Sequence, residues 1–228
     1  AQIDALVTNG MEQEEALYKV LKETIIASKN IRFEGDGYSE EWKKEAEGRG
    51  LTNICHVPEA IMRFNDPQSR SVLIGEKVFN ENELNCRIEV ELEKYTKKIQ
   101  IESRVLGDMA INHIVPTAVI YQNRLLENLR GLRETFSTEE YEYLGAERRE
   151  LVKEIQLHTM EIKKLVREMT NARHIANRLS SQVEKAYSYQ DSVSPYMEKI
   201  REHIDDLEME IDDEIWPLPK YRELLFTK

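Results

Sequence analysis

A chain of 228 residues is long enough to bury a sizeable core, but 33% charged residues with only 9 glycines and 6 prolines leave too few turn formers for a β-sandwich, a barrel or a doubly wound sheet. A net charge of −11 argues against nucleic acid and anionic membrane as partners, and no run approaches the ~18 apolar residues that span a bilayer. Cys55 and Cys86 lack metal-ligand spacing, and the opening lacks a secretory pattern, so the expectation is a cytoplasmic protein.

The elements read as helices throughout. Ile3, Leu6 and Val7 form a short apolar stripe closed by Asn9-Gly10, which reads as the last turns of a helix begun upstream, and the chain therefore as a fragment. A helix is predicted from Glu12 to Lys29 with the stripe Leu17, Val20 or Leu21, Thr24 and Ile25. The loop around Gly35-Asp36-Gly37 lacks the spacing of a phosphate cradle or a calcium loop. It reads as a turn into a helix capped by Ser39, with Glu40 and Glu41 at its positive end. That helix is expected to stop near Gly48 or Gly50; a short one follows Pro58, and Asn65-Asp66-Pro67 is a break. Residues 1–79 are thus a region of short helices that needs an outside surface to cover it.

From Phe79 the periodicity lengthens. Asn80 and Glu83 have capping-box spacing, with Phe79 and Leu84 placed as a hydrophobic staple. One long helix should run to Phe136, and the stripe from Leu84 to Met109 changes phase before Ala118, Leu125 and Leu129. A kink at Pro116 is the expected cause. Ser137 and Glu140 repeat the capping box, and Phe136 with Tyr141 the staple, at what reads as a tight turn between antiparallel helices. Downstream, Leu144, Arg148, Leu151, Ile155, His158, Ile162, Leu165, Met169, Ala172, Ala176, Leu179, Val183 and Ala186 alternate steps of four and three, the seam of a coiled coil or long bundle. Ser188 to Ser194 reads as a turn that lays Met197 to Ile211 antiparallel against this seam. The predicted fold is all-α: short helices over 1–79, then an elongated antiparallel helical hairpin or bundle over 80–228, with helices on the order of 60–80 Å long.

Candidate sites are few. Of His56, His113, His158, His174 and His203, none has zinc-protease or zinc-finger spacing, and His158 reads as a boundary histidine in the seam. Asp108, Asn112 and Pro116 share a face near His113, where polar side chains are expected to serve backbone groups freed by the proline. Seven carboxylates between Asp205 and Glu214 fan out around Ile204, Leu207 and Ile211 and read as a solvated face. Trp216-Pro217-Leu218-Pro219 is expected to end the helix at Ile215 and dock the tail. No catalytic, cofactor-binding or metal-ligating residue is assigned. On the residues alone this is a helical scaffold or interaction segment.

Four stretches carry a family resemblance. Arg32 to Trp42 (RFEGDGYSEEW), Lys97 to Asp108 (KKIQIESRVLGD), Asn112 to Ala118 (NHIVPTA) and Trp216 to Phe226 (WPLPKYRELLF) resemble the type III glutamine synthetases. Pro58 to Ala60, then Gly75 to Leu84, is similar to the tail that closes glutamine synthetase catalytic domains. The resemblance implies a C-terminal helical segment of an enzyme that joins ammonia to glutamate with ATP and magnesium or manganese. Its implied partners are the catalytic domain upstream and neighbouring subunits of a ring-shaped homo-oligomer. The catalytic motifs would lie before Ala1, and no residue here matches them. A coiled-coil adaptor independent of catalysis is the alternative.

Overall fold

Four helices start at a capping side chain, Ser39, Asn80, Ser137 or Ser181. The computed structural model describes residues 2–225, the side chains of Tyr221 and Arg222 excepted; Phe226 of the closing motif lies outside the described residues. Every regular element among them is helical, and the chain divides into two compact units, Ala1–Cys55 and His56–Lys228.

The first unit holds α1 (Gln2–Thr8), α2 (Gln13–Ala27) and α3 (Glu40–Gly48). Gly10 and Gly50 have φ of +93° and +71°, the left-handed turn that lets a helix end bond its own last carbonyls. At α3 the pair is complete: Gly50 N–H donates to Glu47 O and Leu51 N–H to Ala46 O. Ser39 caps α3 as predicted, its Oγ accepting from Trp42 N–H at 3.1 Å. The stripe predicted for α2 forms but finds little cover: Leu17, Leu21 and Ile25 remain 44%, 51% and 51% exposed, and Ala16 is the buried residue of that helix.

The second unit begins with α4 (Val57–Met62) and α5 (Pro67–Gly75). Both pack on the start of α6 (Glu81–Met109), where Leu84, Ile88 and Leu92 are buried beside Ile61, Met62, Leu73 and Phe79. The capping box is present in both directions, Glu83 N–H to Asn80 Oδ1 at 2.9 Å and Asn80 N–H to Glu83 Oε2 at 2.8 Å. Short helices give way to long ones at Phe79, whereas compactness divides the chain between Cys55 and His56.

The chain stays helical from α6 into α7 (Val115–Thr135) through a π turn at Ala110–Ile114. That turn, and not a kink at Pro116, carries the change of phase. Val115 N–H donates to Ala110 O, one residue further back than in an α-helix, so each side chain beyond it is rotated by one extra residue. Pro116 has no N–H for the Asn112 carbonyl, so the turn before it has no α-helical bond to lose by widening.

A second π turn, Tyr189–Val193, replaces the reversal predicted for Ser188 to Ser194. Ser194 N–H donates to Tyr189 O, and Pro195 follows as Pro116 follows the first π turn. The chain reverses earlier, between α9 (Ala146–Asn177) and α10 (Gln182–Ser188), where Ser181 caps α10 through Glu184 N–H. Leu179 to Ala186 is therefore not a continuation of the α9 seam; Val183 and Ala186 instead join the Leu84 cluster. The predicted tight turn at Phe136-Ser137 contains a further short helix, α8 (Thr138–Leu144), started by the capping box of Ser137 and Glu140. Gly145 then brings α8 and α9 together: a Cβ there would lie 2.9 Å from Tyr141 O and 3.2 Å from a Leu129 methyl.

α6 and α7 lie antiparallel to α9. Gln122 Nε2 donates to Val152 O, Gly107 faces Val166 and Met169, and Gln100 reaches Asn177, so ascending positions on one side meet descending ones on the other. α11 (Ser194–Glu210) packs antiparallel on α9 and also touches α6, so that the three share one core. Ile155, Ile162, Leu165, Met169 and Ala176 from α9 meet Ile200, Ile204, Leu207 and Ile211 in one buried core. Burying such aliphatic side chains contributes about 1.5–3 kcal/mol each relative to exposure. α11 stops at Glu210, not Ile215, because Ile211 turns extended (ψ 141°). This brings Ile211 and Trp216 onto the core together, before the short α12 (Tyr221–Leu224).

Candidate functional site

The four-three rhythm of α9 and α11 sets their polar contacts as well as their core. His158 occupies a seam position between Ile155 and Ile162, and its side chain is 19% exposed. Antiparallel packing places it against His203 and Asp206, which lie on one face of α11 at i, i+3 spacing. His158 Nδ1 and His203 Nδ1 are 3.0 Å apart, with the rings edge-on, and His158 Nδ1 is 3.8 Å from Asp206 Oδ2. The three ligand atoms lie within 4.8 Å of one another, and this is the group of three or more His, Cys, Asp or Glu side chains among the described residues that converges so closely. One turn beyond Asp206, Glu210 is half-buried with its Oε2 shielded and unpartnered. Burial raises the Glu210 carboxyl above the ordinary carboxylate range, and the nearby Glu154 and Asp206 push it the same way. Sequence reasoning set His158 apart from His203 and Asp206; the signal that would have joined them is the antiparallel register of two four-three seams.

The other candidates are separated or neutralised. His113 is exposed, and Asn112 Nδ2 donates to Asp108 Oδ1 at 2.6 Å on the surface. Those two side chains bond each other, contrary to the backbone role expected of them, since the π turn widens the backbone beside Pro116. In the acidic run, Asp205 pairs with Arg201, Asp212 with Arg124 and Asp213 with Lys220. Trp216 docks as predicted, buried on the core with Leu218 half-buried beside it. Lys220 ties this tail down, its Nζ donating to Glu208 O at 2.7 Å and lying 5.8 Å from the Trp216 ring centre.

The Gly35–Gly37 loop is a turn closed at Asp36: Tyr38 N–H bonds Asp36 Oδ1 at 2.9 Å and Ser39 N–H bonds Asp36 O. Phe33 folds over Gly35 and stacks on Trp42 with ring centres 4.3 Å apart. No helix among the described residues is long and apolar enough to cross a membrane.

Residues 16–133 match the family described as the glutamine synthetase C-terminal domain. A glutamine synthetase of Bacteroides fragilis (strain YCH46) is 67% identical over 228 residues, covering 100% of this chain and 31% of that protein. A type-3 glutamine synthetase of Dictyostelium discoideum is 29% identical over 222 residues, 95% of this chain and 29% of that protein. A glutamine synthetase of Butyrivibrio fibrisolvens is 27% identical over 219 residues, 96% of this chain and 31% of that protein. The chain thus spans about a third of the length of these relatives.

Proposed function

The chain belongs to the glutamine synthetase C-terminal domain family, and on that premise we propose that it is a supporting helical segment of a type III enzyme, docked on a catalytic domain of the same polypeptide. In this reading ATP, magnesium or manganese, and the joining of ammonia to glutamate belong to that catalytic domain. Subunits assemble as a ring, and the setting is cytoplasmic, in keeping with the free thiols of Cys55 and Cys86. The adaptor alternative has no support among the relatives, which are glutamine synthetases.

The observation that carries the proposal is the open apolar row of α2. Leu17, Leu21 and Ile25 recur every fourth residue, so they share one face, and each is close to half exposed. Tyr18 and Ile26 extend the exposed apolar surface at 68% and 63%. Such a row at the start of a segment matching a C-terminal domain fits a surface of the preceding domain.

The experiment compares the 228-residue chain with the longer polypeptide that includes the catalytic domain. Glutamine formation from ATP, glutamate, ammonia and magnesium is expected only from the longer polypeptide. There, Leu21→Asp with Ile25→Asp is expected to lower both specific activity and assembled mass while leaving the helical bundle's thermal transition in place. Turnover by the 228-residue chain, or an unchanged assembly in the double variant, overturns the reading.

A further inference from the structure

We propose that His158, His203 and Asp206 form a binding site for one divalent transition-metal ion of the zinc type, joining α9 to α11. The first argument is chemical. Two imidazole nitrogens and one carboxylate oxygen are a donor set for zinc, which takes four ligands and accepts water as the fourth. All-oxygen sites are what magnesium and calcium require, so two imidazoles select against both.

The second argument is geometric. Ligand atoms about 2.0–2.1 Å from a tetrahedral ion are about 3.3 Å apart. The imidazoles are 3.0 Å apart and His158 is 3.8 Å from Asp206, on either side of that value, and no two of the three ligand atoms are more than 4.8 Å apart. Small side-chain rotations would therefore complete the site without moving a helix. The two Nδ1 atoms already face each other, and without an ion one must carry a proton for the other to accept. A metal ion satisfies both lone pairs at once. The flanking helices hold the pair from both sides, through Ile155 and Ile162 on α9 and Ile204 and Leu207 on α11. Asp206, 63% exposed, leaves an open path for the ion and its water.

Because the ligands come from two antiparallel helices, occupancy would clamp α11 to α9. This role is independent of the catalytic reading: it predicts a metal-dependent stability of the bundle, whether or not the longer enzyme turns over.

The test is titration of the 228-residue chain with cobalt(II), read by the visible bands of a low-symmetry site, and with zinc, read by calorimetry. One equivalent is expected to bind, and zinc is expected to raise the thermal midpoint. His158→Gln and His203→Gln should each weaken binding by on the order of 100-fold and abolish the zinc-induced rise, and Asp206→Asn should weaken binding less. His113→Gln, at an exposed histidine elsewhere, should change nothing. Since a variant can lose binding by misfolding, His203→Cys supplies the positive control: a zinc-competent thiolate there should retain binding and add a sulfur-to-cobalt charge-transfer band. Stoichiometric binding that survives His158→Gln and His203→Gln overturns the proposal. So does binding no tighter than about 1 mM, or a His203→Cys variant that folds with native helicity and gives no charge-transfer band.

Discussion

Tyr189 Oη donates to Asn177 Oδ1 at 2.8 Å, joining the second π turn to the last residue of α9 across the reversal that separates them. Tyr189 is fully buried, and Asn177 Oδ1 also accepts from Gln100 Nε2 at 3.2 Å, so one amide oxygen gathers α6, α9 and the π turn. Tyr189→Phe keeps the ring and removes the hydroxyl. It is expected to cost about 1 kcal/mol at neutral pH, measured by urea unfolding.

The same residue gives an alkaline prediction. Burial, the largest cause, raises the Tyr189 phenol above its ordinary value of 10.0, while Arg173 and the bonds to Gln100 and Asn177 pull the other way. A folded-state pKa above the unfolded one means the folded chain holds its proton longer. The stabilisation is complete below the unfolded value and is lost as pH rises from about 10 through the folded value. Unfolding midpoints should fall over that range, and fall less steeply in Tyr189→Phe. Equal slopes in the two proteins would remove Tyr189 as the source.

Ala176 is fully buried, whereas Ala172 is half-buried. The surface facing this part of α9 is the π turn with Tyr189 and Val193, not the Met197 to Ile211 helix that the sequence predicts, because the reversal comes at residues 178–181. Ala176→Leu should overpack this region and cost about 1–3 kcal/mol. Ala172→Leu should cost less, and Lys164→Leu, on the exposed face, should be close to neutral. Thermal unfolding of the three variants orders them; a stabilising Ala176→Leu would mean that the space beside it is open.

Lys77 has φ +57°, the non-glycine residue among those described with a left-handed backbone. It closes α5 as Gly10 and Gly50 close α1 and α3, with Lys77 N–H on Ile74 O and Val78 N–H on Leu73 O. Lys77→Gly should stabilise the second unit by about 1 kcal/mol, since the strain removed exceeds the chain entropy added. Lys77→Ala should not. Equal midpoints for the two variants would show that the gain, if any, does not come from the backbone angle.

Hydrogen exchange should separate the two units when the 228-residue chain is studied alone. Residues 1–55 bury Ala16 and Ala46, whereas α4 and α5 lean on Leu84, Ile88 and Leu92. Amides of α2 are expected to exchange faster than those of α9 and α11, and those of α4 to fall with the second unit. Protection of α2 equal to that of α9 would mean that its apolar row is covered within this chain.

Local chemistry in the sequence determined the helices, most of their caps and the buried faces of α6, α9 and α11. These depend on residues three or four apart, and Asn80, Ser39, Ser137 and the four-three seam act at that range. The motif resemblance likewise named the family that residues 16–133 match. Only the tertiary structure decided the rest. Whether Pro116 and Pro195 mark kinks, turns or π turns depends on which carbonyls and side chains the neighbouring helices present, and both prolines lie beside π turns embedded in the shared core. The reversal after α9 is closed by Tyr189 bonding Asn177, twelve residues away. The meeting of His158 with His203 and Asp206 depends on the register between α9 and α11, and that register is fixed by interdigitated side chains from both helices, so no window along the chain contains it.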